Sequence, residues 1–180
     1  MSTSRAHLIH WLRNAYAMEK HAEAMLAAQA ARLGYDDPQM RMRIEQHLQE
    51  TLGQQAMLEG CLARLDSRPS LIKGMGGEMA AFAQALIGMT MRDEMVKGAM
   101  TMYAFEHMEI ASYTALMHAA EAGGDLETKR ICEQVLAQEV EMAGWLFRRI
   151  PATVTRYLAC SARTCQTQSQ VDTASDANAI

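Results

Sequence analysis

The sequence predicts an all-α protein, a four-helix bundle with one crossover connection. Three observations carry this reading. The only prolines, Pro38, Pro69 and Pro151, fall where helices should begin or end. The β-branched residues are scattered and form no alternating strand pattern. Apolar residues recur at helical spacing over four long stretches, paired by short turns with a longer connection between the pairs.

Helix one is predicted from Ser4 to Leu33, with Gly34 as a left-handed C-terminal cap. Its inward seam is Leu8, Leu12, Ala15, Glu19, Ala22, Leu26 and Leu33. Helix two takes Asp37 as N-cap and Pro38 in its first turn, and runs to about Leu65. Ile44, His47, Gln54, Cys61 and Leu65 form its seam, with Glu50 on the same side. A Gly-rich joint, "KGMGGE" (73–78), leads into an extra short apolar helix from Met79 to Met89. Helix three runs from Arg92 to Glu121 and stops at Gly123-Gly124, with a seam of Met95, Ala99, Met102, Glu106, Glu109, Tyr113, Leu116 and Ala120. Asp125 caps helix four, which should end at Ile150 before Pro151 and carries Cys132, Val135, Glu139, Met142 and Leu146 inward. Residues 1–150 are thus expected to form the bundle. Residues 151–180, rich in Ser, Thr and Gln, read as a disordered polar tail.

Composition narrows the function. A net charge of -4 without a Lys/Arg cluster argues against a nucleic-acid surface. The longest nearly apolar run, "MAAFAQALIGMTM" (79–91), is too short to cross a bilayer, so no membrane association is expected. The start has no long apolar core or small-residue cleavage site, which reads as no signal peptide and a cytoplasmic location. Cys61 and Cys132 fall in helical patterns and Cys160 and Cys165 in the tail, which fits reduced thiols better than a disulfide scaffold. Sixteen methionines include three Met-x-Met pairs, but i and i+2 point to different faces of a helix, so the pairs do not converge on copper. They read as core filler.

Each inward seam carries a carboxylate, and their heights match. Glu19 lies 14 residues before Leu33, and Glu50 lies 12 after Pro38. At a rise of 1.5 Å per residue, an antiparallel pair brings these to within about 3 Å in height. Glu109 lies 12 residues before Glu121, and Glu139 lies 14 after Asp125. "YAMEK" (16–20) also recurs as "YAFEH" (103–107), and "LQET" (48–51) more weakly as "AQEV" (137–140), as though one helix pair copied the other. Several anionic carboxylates cannot share a dry core uncompensated. Two divalent cations supply the missing charge, and oxygen donors with an imidazole suit iron or manganese. His47, one turn before Glu50, is the candidate nitrogen donor, and Tyr16 and Tyr103, one turn before seam acids, are candidate supporting hydrogen-bond donors. The alternative is a metal-free core in which the acids are protonated or bonded to one another.

The segments "LRNAYAMEKHAEAML", "HLQETLGQQAMLE", "YAFEHMEIASYTAL" and "VLAQEVEMAGWL" make the chain resemble the YciE/YciF ferritin-like proteins over residues 8–150. The resemblance implies a rubrerythrin-like bundle with a di-iron site, a link to stress responses, ferroxidase-type chemistry with O2 or peroxide, and a homodimer. Carried over by position, it points to Glu19, His47, Glu50, Glu106, Glu109 and Glu139 as metal ligands. The chain departs from the general Glu-x-x-His pattern. Glu50 is followed by Gly53 and Glu139 by Met142, His47 precedes its Glu, and Gln138 stands where a second acid is common. A second reading keeps the fold without metal, as a structural or stress-associated dimer with the apolar segment 79–91 as its interface.

Overall fold

The computed structural model describes residues 3–33, 37–69 and 93–177. Four α-helices account for most of them: α1 (Thr3–Leu33), α2 (Pro38–Arg64), α3 (Glu94–Ala122) and α4 (Leu126–Ala177). Among the described residues there is no strand. Helix α1 packs on α2, and α3 packs on α4. Contacts of α1 with α3 and of α2 with α4 close the square. The Gly34 cap, the 73–78 joint and the short helix expected from Met79 to Met89 lie outside the described residues. No described helix is long and apolar enough to cross a membrane.

The seams read from the sequence are the core. Leu8, Leu12, Ala22 and Leu26 of α1, Ile44 and Cys61 of α2, Ala99, Met102, Leu116 and Ala120 of α3, and Cys132, Val135, Met142 and Leu146 of α4 are all buried. They form two apolar clusters. One joins Leu8, Leu12, Leu58, Leu116 and Val135. The other joins Leu26, Leu33, Ile44, Met102 and Leu146. The two predicted caps also form. Asp37 accepts from the Met40 amide at 3.1 Å and Asp125 from the Thr128 amide at 3.0 Å. Gly124 takes a positive φ of 75° in the turn between α3 and α4, a region that costs glycine little. Cys61 and Cys132 are buried free thiols.

The structure differs from the sequence expectation at Pro151. Helix α4 continues through it to Ala177 rather than stopping at Ile150. Pro151 cannot donate to the Phe147 carbonyl, but Phe147 is exposed, so that carbonyl can turn to water. Contacts beyond the proline then hold the helix on the bundle. Thr153 is buried, and Arg149 and Arg156 grip the same Asp37 carboxylate from either side of Pro151, at 2.7 and 2.9 Å. Bundle contacts therefore run past residue 150, into the stretch expected to be tail.

Asp37 is thus both the cap of α2 and the anchor of α4. Asp37→Ala is expected to cost about 2–4 kcal/mol, because cap and ion pairs go together. Asp37→Asn keeps the cap acceptor and should cost less than Asp37→Ala yet still fall below the parent. Urea unfolding of the two variants measures this. An Asn variant as stable as the parent would mean that the arginine contacts contribute nothing.

Candidate metal centre

Four helices direct polar side chains into the layer between the two apolar clusters. On α2, Arg43, His47, Glu50 and Gln54 stand at i, i+4, i+7 and i+11, one stripe of the helix. On α3, Glu106, Glu109 and Tyr113 follow the same rule. Helix α1 supplies Glu19 and α4 supplies Glu139. Glu19, His47, Gln54, Glu106, Glu109, Tyr113 and Glu139 are each no more than 1% exposed. Helical period forces this placement: the stripe that buries Leu26 or Val135 also buries the acid that shares it.

Four of the six residues expected as ligands converge. Donor atoms of His47, Glu106, Glu109 and Glu139 all lie within 4.8 Å of one another. The His47 Nε2 faces Glu106 Oε2 and Glu139 Oε2 at 3.3 Å each. Neither contact has hydrogen-bond geometry, since both oxygens are without a hydrogen-bond partner. Glu19 stands beside this group, close enough that its charge and that of Glu139 bear on each other. Glu50 is set apart. Its carboxylate meets the other ring nitrogen, His47 Nδ1, at 2.7 Å, accepts from Arg43 at 3.3 Å and from Gln46 at 3.0 Å, and is 20% exposed at its side chain.

Polar neighbours orient the acids. The Tyr113 hydroxyl donates to Glu19 Oε1 at 2.5 Å. The Gln54 amide donates to Glu139 Oε1 and, at 3.1 Å, to Gln138 Oε1. Tyr16 and Tyr103, the tyrosines singled out in the sequence, do other things. Tyr16 donates to Glu59 at 2.9 Å on an exposed flank, and Tyr103 packs edge-on against His107. Each precedes its acid by three residues on its own helix, whereas the donor that reaches Glu19 comes across from α3. Tyr113 was legible as a seam residue one turn after Glu109. Arg43, a buried cation in the stripe of His47, carried no sequence signal beyond that register.

Electrostatics record the crowding. Burial first, and then the Glu139 charge, pushes the Glu19 carboxyl well above its ordinary range, against the pull of the Tyr113 hydrogen bond. Burial first, and then Glu19, Glu139 and Glu106, does the same to Glu109. Glu106 is raised to about 7, mainly by burial, with His47 opposing. Burial alone would depress His47, but its contacts with Glu106, Glu139 and Glu50 override this and lift it to about 11. Glu50 is lowered to about 2, chiefly by its bond to His47.

The residues present fit a metal. Glu19 Oε2, Glu106 Oε2, Glu109 Oε1 and Glu139 Oε2 are all buried without a hydrogen-bond partner. Orphaned buried oxygens are costly, and four on neighbouring acids require a cation or a proton. The Glu50 contact at Nδ1 leaves the inward Nε2 of a neutral His47 as a donor, the arrangement found behind metal-bound imidazoles.

Fold and cluster together define a ferritin-like bundle whose core holds a His/Glu group able to bind metal. The chain belongs to the family described as a domain of unknown function (DUF892), whose model matches residues 3–159. Solved structures agree. A protein from Xanthomonas campestris is 44% identical, with 89% of this chain and 99% of that one covered and a TM-score of 0.77. The Escherichia coli stress protein YciF is 24% identical over 86% of this chain and 99% of its own, with a TM-score of 0.71. A structure described as ferritin-like, diiron-carboxylate proteins, from Bacillus anthracis, is 18% identical over 83% of this chain and 99% of its own, with a TM-score of 0.63. The last two identities speak for the fold.

The pH dependence of the metal-free protein follows from these shifts. Glu19, Glu106 and Glu109 are raised above the ordinary 4.5, so the folded state holds protons that the unfolded chain releases. Their stabilising effect is full below 4.5 and is lost as pH rises through the folded values. His47, at about 11 against 6.5, loses its share above 6.5. Glu50, lowered to about 2, has contributed fully once pH passes its ordinary 4.5. Stability without metal should therefore peak near pH 5 and fall toward pH 8, by about 1.4 kcal/mol per pH unit for each proton involved. Glu109→Gln should flatten the decline. Urea midpoints across that range, with chelator present, measure it; a profile that is level or climbs with pH would contradict the assignment.

Proposed function

We propose that the chain is a dinuclear metal-carboxylate protein, with iron as the native metal and manganese as the alternative, that oxidises Fe(II) with O2 or peroxide. The observation that carries this is the set of four buried, unpartnered carboxylate oxygens, two of which face the buried His47 imidazole at 3.3 Å. Charge supports it as well. Carboxylates Glu19, Glu50, Glu106, Glu109 and Glu139 are balanced to zero by two divalent cations and the Arg43 guanidinium, with His47 neutral. Neutrality is what a dry interior favours.

In this reading Glu19, Glu106, Glu109, Glu139 and the Nε2 of His47 hold the ions, and Glu50 lies at the edge of the set. A bound iron pair would supply the electron-transfer steps toward O2 or peroxide. The protein's own part is positional. Glu50 holds the proton of His47 on Nδ1 and turns Nε2 inward. Tyr113 and Gln54 fix one oxygen each of Glu19 and Glu139, leaving the other for a ligand role. The two apolar clusters above and below keep bulk water from the carboxylates. The description of the Escherichia coli neighbour as a stress protein supports a role in stress.

Metal analysis after anaerobic loading with Fe(II) or Mn(II) tests the reading. About two ions per chain are expected. Glu109→Gln and Glu139→Gln should lose metal and Fe(II) oxidation together, and chelation should lower the thermal midpoint of the parent. The competing reading is a metal-free structural dimer. It predicts no retained metal and a Glu50→Ala, Glu139→Ala double variant at least as stable as the parent, because crowded charge is removed.

A further inference from the structure

A pair of thiols lies outside the carboxylate cluster. Cys61 of α2 and Cys132 of α4 are both fully buried and belong to one apolar cluster. Cys61 follows Gln54 by seven residues, and Cys132 precedes Glu139 by seven. Seven residues are about two helical turns, so each cysteine shares a stripe with the polar residue it is counted from. Helices α2 and α4 run antiparallel, and the Gln54 amide donates to Glu139 Oε1. The same register therefore sets Cys61 opposite Cys132. A second contact fixes the register on the far side of the pair. Arg64 Nη2, one turn after Cys61, donates at 3.1 Å to Thr128 Oγ1, one turn before Cys132. The cysteines are bracketed by two hydrogen bonds between the helices and face each other between them.

The two sulfurs are not equivalent. Arg64 Nη2 also reaches Cys61 Sγ at 3.5 Å, and the Arg64 side chain is 32% exposed, so it links that sulfur to the surface. Glu127 holds the guanidinium from its other nitrogen at 3.1 Å. Cys61 lies three residues before α2 ends at Arg64. The last turn of a helix opens at low cost, and this opening exposes the Cys61 thiol. Cys132 sits further inside its own helix, six residues after α4 begins. Burial first, and then the Cys61 charge, pushes the Cys132 thiol up to about 12. Cys132 therefore stays protonated near neutral pH, and the influence of one sulfur on the other marks their proximity.

We propose that Cys61 and Cys132 are a peroxide-responsive pair that closes a reversible disulfide between α2 and α4. The Cys61 sulfur attacks one oxygen of hydrogen peroxide, and the O–O bond breaks. The departing hydroxide takes the thiol proton and leaves as water, and Cys61 becomes a sulfenic acid. The Cys132 sulfur then attacks that of Cys61. The S–O bond breaks, and a second water leaves with the Cys132 proton. The two thiols have lost two electrons and two protons, and one peroxide has become two waters. The new bond joins the first helix pair to the second across the long connection between them, so it restricts the unfolded chain and stabilises the fold. None of these steps uses the carboxylate cluster, so the pair acts with or without metal there.

Treatment of the reduced full chain with hydrogen peroxide, in the presence of a chelator, tests this. Cys160→Ser and Cys165→Ser in the background remove the other thiols. Thiols titratable in urea should disappear, peptide mapping should find Cys61 joined to Cys132 within one chain, and dithiothreitol should reverse both changes. The thermal midpoint of the oxidised form should rise by about 5–10 °C. Cys132→Ser should leave Cys61 as a sulfenic acid that dimedone labels, whereas Cys61→Ser should leave Cys132 unlabelled. The proposal is overturned if both thiols remain titratable after excess peroxide, if Cys61 takes up oxygen without forming the link, or if the link joins two chains. Labelling of Cys132 in Cys61→Ser as strong as that of Cys61 in Cys132→Ser would overturn the order of attack.

Discussion

The constraint on which this molecule depends is the confinement of ionisable groups in a dry bundle core. Glu19, Glu106, Glu109 and Glu139 are each at most 1% exposed, and each has an oxygen without a hydrogen-bond partner. An apolar residue at any of these positions would pack in the seam with no electrostatic cost. Their presence is intelligible only if something positive enters among them. His47 supplies part of that charge in the metal-free chain, since its contacts with three acids lift it to about 11. One imidazolium does not neutralise four carboxylates; burial first, and then their mutual repulsion, raises Glu19 and Glu109 well above their ordinary range, so protons occupy the remainder. A metal entering this group would have to expel those protons, which would link its binding to pH through the same atoms.

The surrounding structure is arranged to tolerate this layer. Apolar clusters lie at both ends of it, so the local cost is carried by burial elsewhere in the same helices. Polar support comes across helices. Tyr113 of α3 reaches Glu19 of α1, and Gln54 of α2 reaches Glu139 of α4. Each bond ties together two helices that also pack side by side. The lateral fit of the bundle and the aim of its acids are thus set by the same contacts.

Much of this was legible in the sequence because helical period converts spacing into position. The seam residues from Leu8 to Leu146 fall inside, save Leu65 and Met95, which are only partly buried, and the Asp37 and Asp125 caps accept the amides their positions imply. What period cannot convey is where a side chain goes at the rim of a stripe. Glu50 shares a face with His47, yet its carboxylate stops at Nδ1 and at Arg43, because a residue one turn further along α2 lies on the outer edge of the seam. Tyr16 and Tyr103 follow the same logic, being near their acids along one helix but turned to another flank. Pro151 shows a different limit. Its local rule is to end a helix, and the rule is overridden by Arg149 and Arg156 converging on an aspartate more than a hundred residues away.

The repeat between the two helix pairs sharpens the chemistry by its failures. At the offset of 87 that aligns "YAMEK" with "YAFEH", Glu19 matches Glu106, but Glu109 matches Ala22. At the offset of 89 that aligns the other two blocks, Glu50 matches Glu139, but His47 matches Leu136. The repeated acids could furnish a two-fold symmetric set. Glu109 and His47 occur once each, and both are among the four residues whose donors converge. Glu50, though repeated, meets the outer ring nitrogen of His47 and the Arg43 guanidinium instead. The site is therefore asymmetric at the level of sequence: one half contributes a nitrogen donor, and the other an added carboxylate. Two ions held there would experience different donor sets and different charge, and equivalence between them would require the protein to undo a difference written into its helices.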